Sequence, residues 1–201
     1  EEEMAGVAQT TQEAILLHHD GVQDLIMRVT YETTTDGEAG SSLAWIVPVP
    51  SVPTDYGVGE SNLFDAVADW AKVRRIALEV TRSLGASGGL KGLPRSAVVE
   101  LPKVSVGPFE IAPLQARGPE GVSALNAWMT RHGFATLSPE GLRYYVTRGW
   151  TFLAIRISPE SQTSMATEGT LPPLRVTFPS DRAVYPLKFS THMGQLTAKL
   201  W

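Results

Sequence analysis

Trp45-Ile-Val-Pro-Val-Pro-Ser-Val-Pro53 is an apolar strand that runs directly into three prolines. Proline donates no N–H and holds φ near −65°, so a strand inside a sheet cannot continue through it. The stretch therefore predicts an edge strand that leaves its sheet as a rigid, extended arm.

Upstream of it, Ala14–His18 and Val22–Thr33 flank His19-Asp20-Gly21. Asp-Gly favours the positive φ angles of a tight hairpin turn. Leu25, Met27, Val29 and Tyr31 alternate with Ile26, Arg28, Thr30 and Glu32, giving one apolar and one mostly wet face. Leu43, Trp45 and Val47 keep the same period, which predicts three antiparallel strands in a row.

Downstream, Ser61 is an N-cap for a helix from about Asn62, with Leu63, Val67, Trp70 and Ala71 on one stripe and Val73, Ile76, Ala77 and Val80 continuing it. Val98–Leu101 and Val104–Leu114 read as strands, the second interrupted by Gly107-Pro108 and Pro113. Pro119–Arg131 is a helix with Val122, Leu125, Trp128 and Met129 inward, stopped by Gly133. Ser138 caps another, with Pro139 where a missing N–H costs nothing and Gly149 at its end. Trp150–Ile157 is a strand, Ser158–Thr170 a polar loop, and Leu174–Phe178 with Ala183–Phe189 a hairpin around Pro179–Arg182. Leu196, Ala198 and Leu200 begin a last strand, from which a longer natural chain is expected.

Strands in antiparallel groups with helices between them predict an α+β fold of about eight to ten strands and about three helices. The 201 residues form one domain, 1–201, long enough to bury a core without staples. A flexible tail is expected over about residues 1–8 and a mobile Gly/Ser-rich loop over about 84–95.

Composition excludes several kinds of chemistry. With no cysteine there are no disulfides, thiolate nucleophiles or cysteine metal sites. The net charge of −4 is interspersed, and no basic patch matches a row of phosphates, so nucleic acid is not an expected partner. No run reaches the length of a membrane span, and no leader opens the chain, which starts at Glu1 rather than Met. The three leading glutamates read as a solvated terminus.

Each catalytic motif meets a plainer explanation. Gly85-Ala-Ser87-Gly-Gly89 matches a nucleophile elbow, but that turn requires a strand before it and a helix after it. Here an apparent helix precedes it and a Leu90-Lys-Gly-Leu-Pro94 loop follows, and a loop serine is the better reading. His18 and His19 are adjacent on a strand and point to opposite faces, so both cannot hold one metal ion. His132 suits a helix C-terminus and His192 a loop. Gly57-Val-Gly59 lacks the third glycine of a dinucleotide loop, whose place is taken by Asn62, and a plain loop into an N-cap is the better reading. Glu100 and Glu110 are indistinguishable from two solvated strand residues. No catalytic, cofactor-binding or metal-binding residue is therefore assigned, and no cofactor is expected. Among the tryptophans, Trp45, Trp70 and Trp128 fall on apolar stripes and are expected in the core, unlike Trp150 and Trp201.

Trp45-Ile-Val-Pro-Val-Pro with Leu63-Phe64, and Val106-Gly107-Pro108-Phe109-Glu110-Ile111, together resemble the bacterial family called domain of unknown function 2330. The order of shorter stretches supports it: Gln9 and Gln12 before Ala14-Ile15-Leu16, Ala127-Trp128, His132-Gly133-Phe134, Tyr145-Val146, Phe152-Leu153-Ala154 and Tyr185-Pro186-Leu187. The resemblance spans about residues 7 to 190. It implies a secreted, periplasmic or other cell-envelope protein whose leader has been removed, and it implies no activity. The family frequently carries cysteines near the mature N-terminus; Glu3-Met4-Ala5-Gly6 stands there, so any such disulfide is absent.

The expected function is accordingly a non-enzymatic envelope domain, a structural or accessory subunit that docks on a protein partner through edge strands and the proline arm. Its expected contact surface is Trp45, Pro48, Pro50, Pro53, Tyr144, Trp150 and Trp201. The chain itself carries no membrane span, which is compatible with a membrane-associated assembly. A small serine- or metal-dependent hydrolase and a carbohydrate or lipid binder are the alternatives.

Overall fold

The computed structural model describes residues 7–33, 44–70, 97–158, 161, 168–186 and 197–200. Among them are the strands β1 (Val7–His19), β2 (Val22–Thr33), β3 (Ala44–Val49), β4 (Asp55–Val58), β5 (Val98–Glu100), β6 (Val104–Val106), β7 (Phe109–Ala116), β8 (Thr151–Ile157), β9 (Glu168–Thr170), β10 (Leu174–Pro179) and β11 (Thr197–Leu200). The helices are α1 (Leu63–Trp70), α2 (Gly121–Arg131) and α3 (Pro139–Val146). The fold is α+β, as the pattern predicts.

The Asp20-Gly21 turn joins β1 to β2 with φ of 50° and 76°, so both central residues take the left-handed region that this pair tolerates. That hairpin is the middle of the first sheet, ordered β11-β1-β2-β10-β4, with β9 also pairing with β2. All its pairs are antiparallel except β1 with β11. The second sheet is antiparallel throughout, ordered β3-β8-β7-β5, with β6 on β7.

Period-two alternation sets the layers. Leu25, Met27 and Val29 of β2 meet Val47, Val49, Phe109, Ile111, Leu153, Ile155 and Ile157 of the second sheet in one core. Ile15 and Ile26, on the other face of the first sheet, pack under Phe64 of α1. Ala112, Leu114, Phe152 and Ala154, on the other face of the second sheet, pack under Leu125, Trp128, Met129, Leu142 and Tyr145 of α2 and α3. The order is helix, sheet, sheet, helices, and the second sheet is buried on both faces.

The proline stretch is an edge strand, because among the described residues β3 pairs only with β8. Past Val49 the chain crosses between the sheets, the Ser51 hydroxyl donating to the Pro179 carbonyl at 2.6 Å and the Thr54 N–H to that of Thr177 at 2.8 Å. Pro113 sits inside β7 without breaking it. Its carbonyl accepts from Leu101 N–H, on the β5 side. N–H and C=O of one strand residue point the same way, so the donor Pro113 lacks is directed away from β8.

Several expectations need correction. The three strands in a row are two, since β3 belongs to the other sheet; β10 and β9 already occupy the free side of β2. Among the described residues, Leu174–Phe178 forms no hairpin with the 183–186 segment, because both its edges are taken by β2 and β4, and the rest of the expected arm to Phe189 lies outside the described residues. Instead the fully buried Gln23 pairs its carboxamide with Val184, Nε2 donating to the carbonyl at 2.8 Å and Oε1 accepting from the N–H at 2.7 Å. Ser158–Thr170 ends in β9, and Gly57-Val58 lies in β4 rather than in a loop. Val7 and Ala8, expected in the tail, pair in β1. Trp70 is 86% exposed and outside the core, while Trp128 is buried and Trp45 half-buried. The continuing helical stripe from Ala71 to Val80 and the loop over 84–95 lie outside the described residues.

Candidate functional site

The predicted contact residues do not form one surface. Pro48 and Pro53 are buried and Pro50 half-buried, because the arm is packed as the bridge between sheets. Trp45 lies in the inter-sheet core, edge-on to Phe109 at 6.2 Å between ring centroids. Tyr144 and Trp150 are on the opposite, helical face of the second sheet. There Trp150 lies 4.8 Å from the Tyr145 ring, and the Arg148 guanidinium covers Tyr144 at 3.7 Å. Trp201, Ser87 and His192 are outside the described residues.

His18 donates from Nε2 to the Ser180 carbonyl at 2.8 Å, and His19 meets Asp20 at 3.0 Å in full solvent. Among the described residues no group of three His, Asp or Glu side chains is placed to hold a metal ion.

A different cluster forms where α2 ends above β5, β6 and β7. Helical spacing puts Trp128 and His132 on one face, and their rings stack at 4.0 Å with 20° between planes. His132 Nδ1 donates to the Trp128 carbonyl at 2.7 Å, a carbonyl that also accepts the His132 backbone N–H at 3.1 Å, and this second tie fixes the ring. Trp128 Nε1 donates to Glu100 Oε2 at 3.2 Å, while Lys103 Nζ lies 3.2 Å from Glu100 Oε1. Burial alone would push the Glu100 carboxyl up. The hydrogen bonds from Lys103 and Trp128, with the charges of Lys103 and His132, outweigh it and hold the group below its ordinary range.

Two cavities share Trp128 and His132 as a common wall. An open groove of about 580 Å³ runs between β5 and α2, lined by Ala97, Val98, Glu100, Ala124, Ala127 and Arg131. A pocket of about 250 Å³ lies over the second sheet, floored by Ala112 and Ala154 and edged by Lys103, Ser105, Glu110, Phe134 and Arg156. Arg156 stacks on Phe134 at 5.0 Å and donates from Nη2 to the His132 carbonyl.

Glu100 and Glu110 thus face the same side, one in each cavity. Glu100 is opposite Leu114, and Glu110 shares that residue's parity on β7. No local motif marks Lys103, Arg131 or Arg156: the β7-β8 register places Arg156, and the packing of α2 against β5 places Arg131 beside the groove. His132, expected at a helix end, is there, and the stack with Trp128 is what gives it a place in the site.

Among the described residues no helix is long and apolar enough to cross a membrane. No curated protein and no solved structure matches the chain. The sequence profile of a bacterial family, described as an uncharacterized protein conserved in bacteria (DUF2330), matches residues 3–197. With nearly its whole length matched and the resembling stretches inside the match, the chain belongs to the DUF2330 family.

Proposed function

We propose that the protein is a non-enzymatic domain of the bacterial cell envelope, an accessory or structural subunit that docks on a protein partner through the helical face of its second sheet. The observation that carries this reading is the open groove between β5 and α2, ended by the Trp128–His132 stack. A groove wall held rigid before binding loses little entropy on association. Small side chains at Ala97, Ala124 and Ala127 leave room for the partner's own.

The proline arm takes a supporting role in this reading, since its residues brace the two sheets. Pro48 also withholds a ladder donor from the β3 edge, which disfavours addition of a foreign strand there. The hydrolase alternative is the weaker one: His132 Nδ1 and both Glu100 oxygens are engaged in contacts that hold α2 to β5. The envelope part of this reading is supported by the resemblance to the family, which implies an exported protein.

A photo-crosslinking residue at Ala127 in cells that produce the protein tests the reading. A discrete protein adduct is expected from Ala127 and none from Asp20, at the hairpin tip of the other sheet. Adducts from Asp20 alone, or a chain that stays monomeric and uncrosslinked from Ala127, would overturn it.

A further inference from the structure

We propose that the pocket under Trp128 and Phe134 is a binding site for a small zwitterion, a free α-amino acid with an apolar side chain. Strand register builds its floor in two rows. Ser105, Glu110 and Arg156 stand side by side across β6, β7 and β8, and Ala112 and Ala154 form the next row. Rows on one face of a sheet are about 7 Å apart, the span of a small molecule. The first row offers a carboxylate, a guanidinium and a hydroxyl. The second offers two methyl groups in place of larger side chains, with Trp128, His132 and Phe134 as aromatic walls.

The state of the charges points to the ligand's chemistry. Glu110 and Arg156 are directly opposite on neighbouring strands, where acid and base ordinarily pair. They do not: the ion pairs among the described residues include neither. Arg156 turns its guanidinium to the Phe134 ring and the His132 carbonyl, which uses one of its five N–H donors. A half-buried carboxylate and a half-buried guanidinium are therefore kept apart over a cavity. An ammonium beside Glu110 and a carboxylate beside Arg156 complete both charges, and the ligand's side chain lies over Ala112 and Ala154 against the aromatic walls. The volume of about 250 Å³ is below the range of drug-sized sites and suits a ligand of amino-acid size.

Calorimetry and thermal melts of the purified protein with L-leucine and L-phenylalanine test the assignment. Both are expected to bind and to raise the melting temperature, with Kd of about 1 mM or tighter. N-acetyl-leucine, which lacks the ammonium, and leucine amide, which lacks the carboxylate, are each expected to bind at least about tenfold more weakly. Glu110→Gln should remove the preference for leucine over N-acetyl-leucine. Ser105→Trp, at an exposed rim position, should block all binding while the fold is kept. No binding of either amino acid to the folded protein up to about 10 mM overturns the proposal, as does equal affinity for the capped forms. Crosslinking from Ala127 reads the neighbouring groove, so the partner proposal stands or falls independently.

Discussion

Trp128 of α2 and Glu100 of β5 are joined by an indole N–H to carboxylate hydrogen bond of 3.2 Å, a direct polar tie between the helical layer and the short outer strand. It sets the Trp128 ring in the plane against which His132 stacks. One hydrogen bond thus orients the wall common to both cavities.

The Glu100 carboxyl is held below its ordinary value of 4.5. A group whose folded pKa is depressed contributes stability that is fully present above its unfolded value and is lost as pH falls through the folded one. Acid melts should therefore lose stability below about pH 4.5, and Glu100→Gln should flatten that limb. At neutral pH the substitution should cost about 1 kcal/mol in urea denaturation and alter tryptophan fluorescence. An unchanged acid limb in the variant would show that Glu100 is not its source.

Gln23 acts as a substitute strand partner for Val184. Gln23→Ala leaves the half-buried Val184 backbone donor and acceptor without partners and opens a gap in the place of a buried side chain, at a cost of about 1–3 kcal/mol in urea denaturation. Gln23→Glu keeps the acceptor but sets a carboxylate oxygen against the Val184 carbonyl, so at neutral pH it should be no better than alanine. A loss under about 0.5 kcal/mol for both would mean that the 180–186 segment is not held by this contact.

Gly107 turns the chain from β6 to β7 at φ of 54°, and a Cβ there would lie 2.6 Å from Cγ2 of Val58 in β4. Gly107→Ala meets both a left-handed backbone and a clash, together about 2–4 kcal/mol. Val58 is 42% exposed, so Val58→Ala alone should cost under about 1 kcal/mol. In the double variant the steric share should be recovered, leaving about 1–2 kcal/mol from the backbone. Strict additivity in the cycle would refute the contact between the β6–β7 turn and β4.

Burial pushes the Tyr56 and Tyr185 phenols from 10.0 up to about 12. A raised folded pKa gives stability that is complete below pH 10 and is lost as pH rises toward 12. Phenolate absorbance should show the Tyr56 and Tyr185 phenols ionising late, together with unfolding. Tyr185→Phe should lessen the alkaline loss of stability; an identical alkaline limb would place these phenols in water.

Local rules were legible where one short stretch carried the whole cause. The Asp20-Gly21 turn, the alternation of β2 and β8, the Ser138 cap and the three prolines of the β3 arm each follow from residues adjacent in the chain. Ser138 Oγ accepts from Gly141 N–H at 3.1 Å, as its spacing requires. The misreadings lie where a distant partner chose the outcome. Trp70 continues the apolar stripe of α1, yet only Phe64, with Leu63 and Val67 beside it, reaches Ile15 and Ile26. The chain after Arg182 has strand-forming residues, but no strand edge was left for it on β10.

The amino-acid sequence by itself determined the longer elements, the α+β class and the family, because backbone preference and side-chain period act over a few neighbours. Tertiary structure alone decided that the proline arm braces two sheets and that Glu100, Glu110, His132 and Arg156 gather around Trp128. Those residues lie on strands and a helix up to 56 positions apart, from Glu100 to Arg156, and only pairing register and the packing of α2 onto a twice-buried sheet bring them to one face.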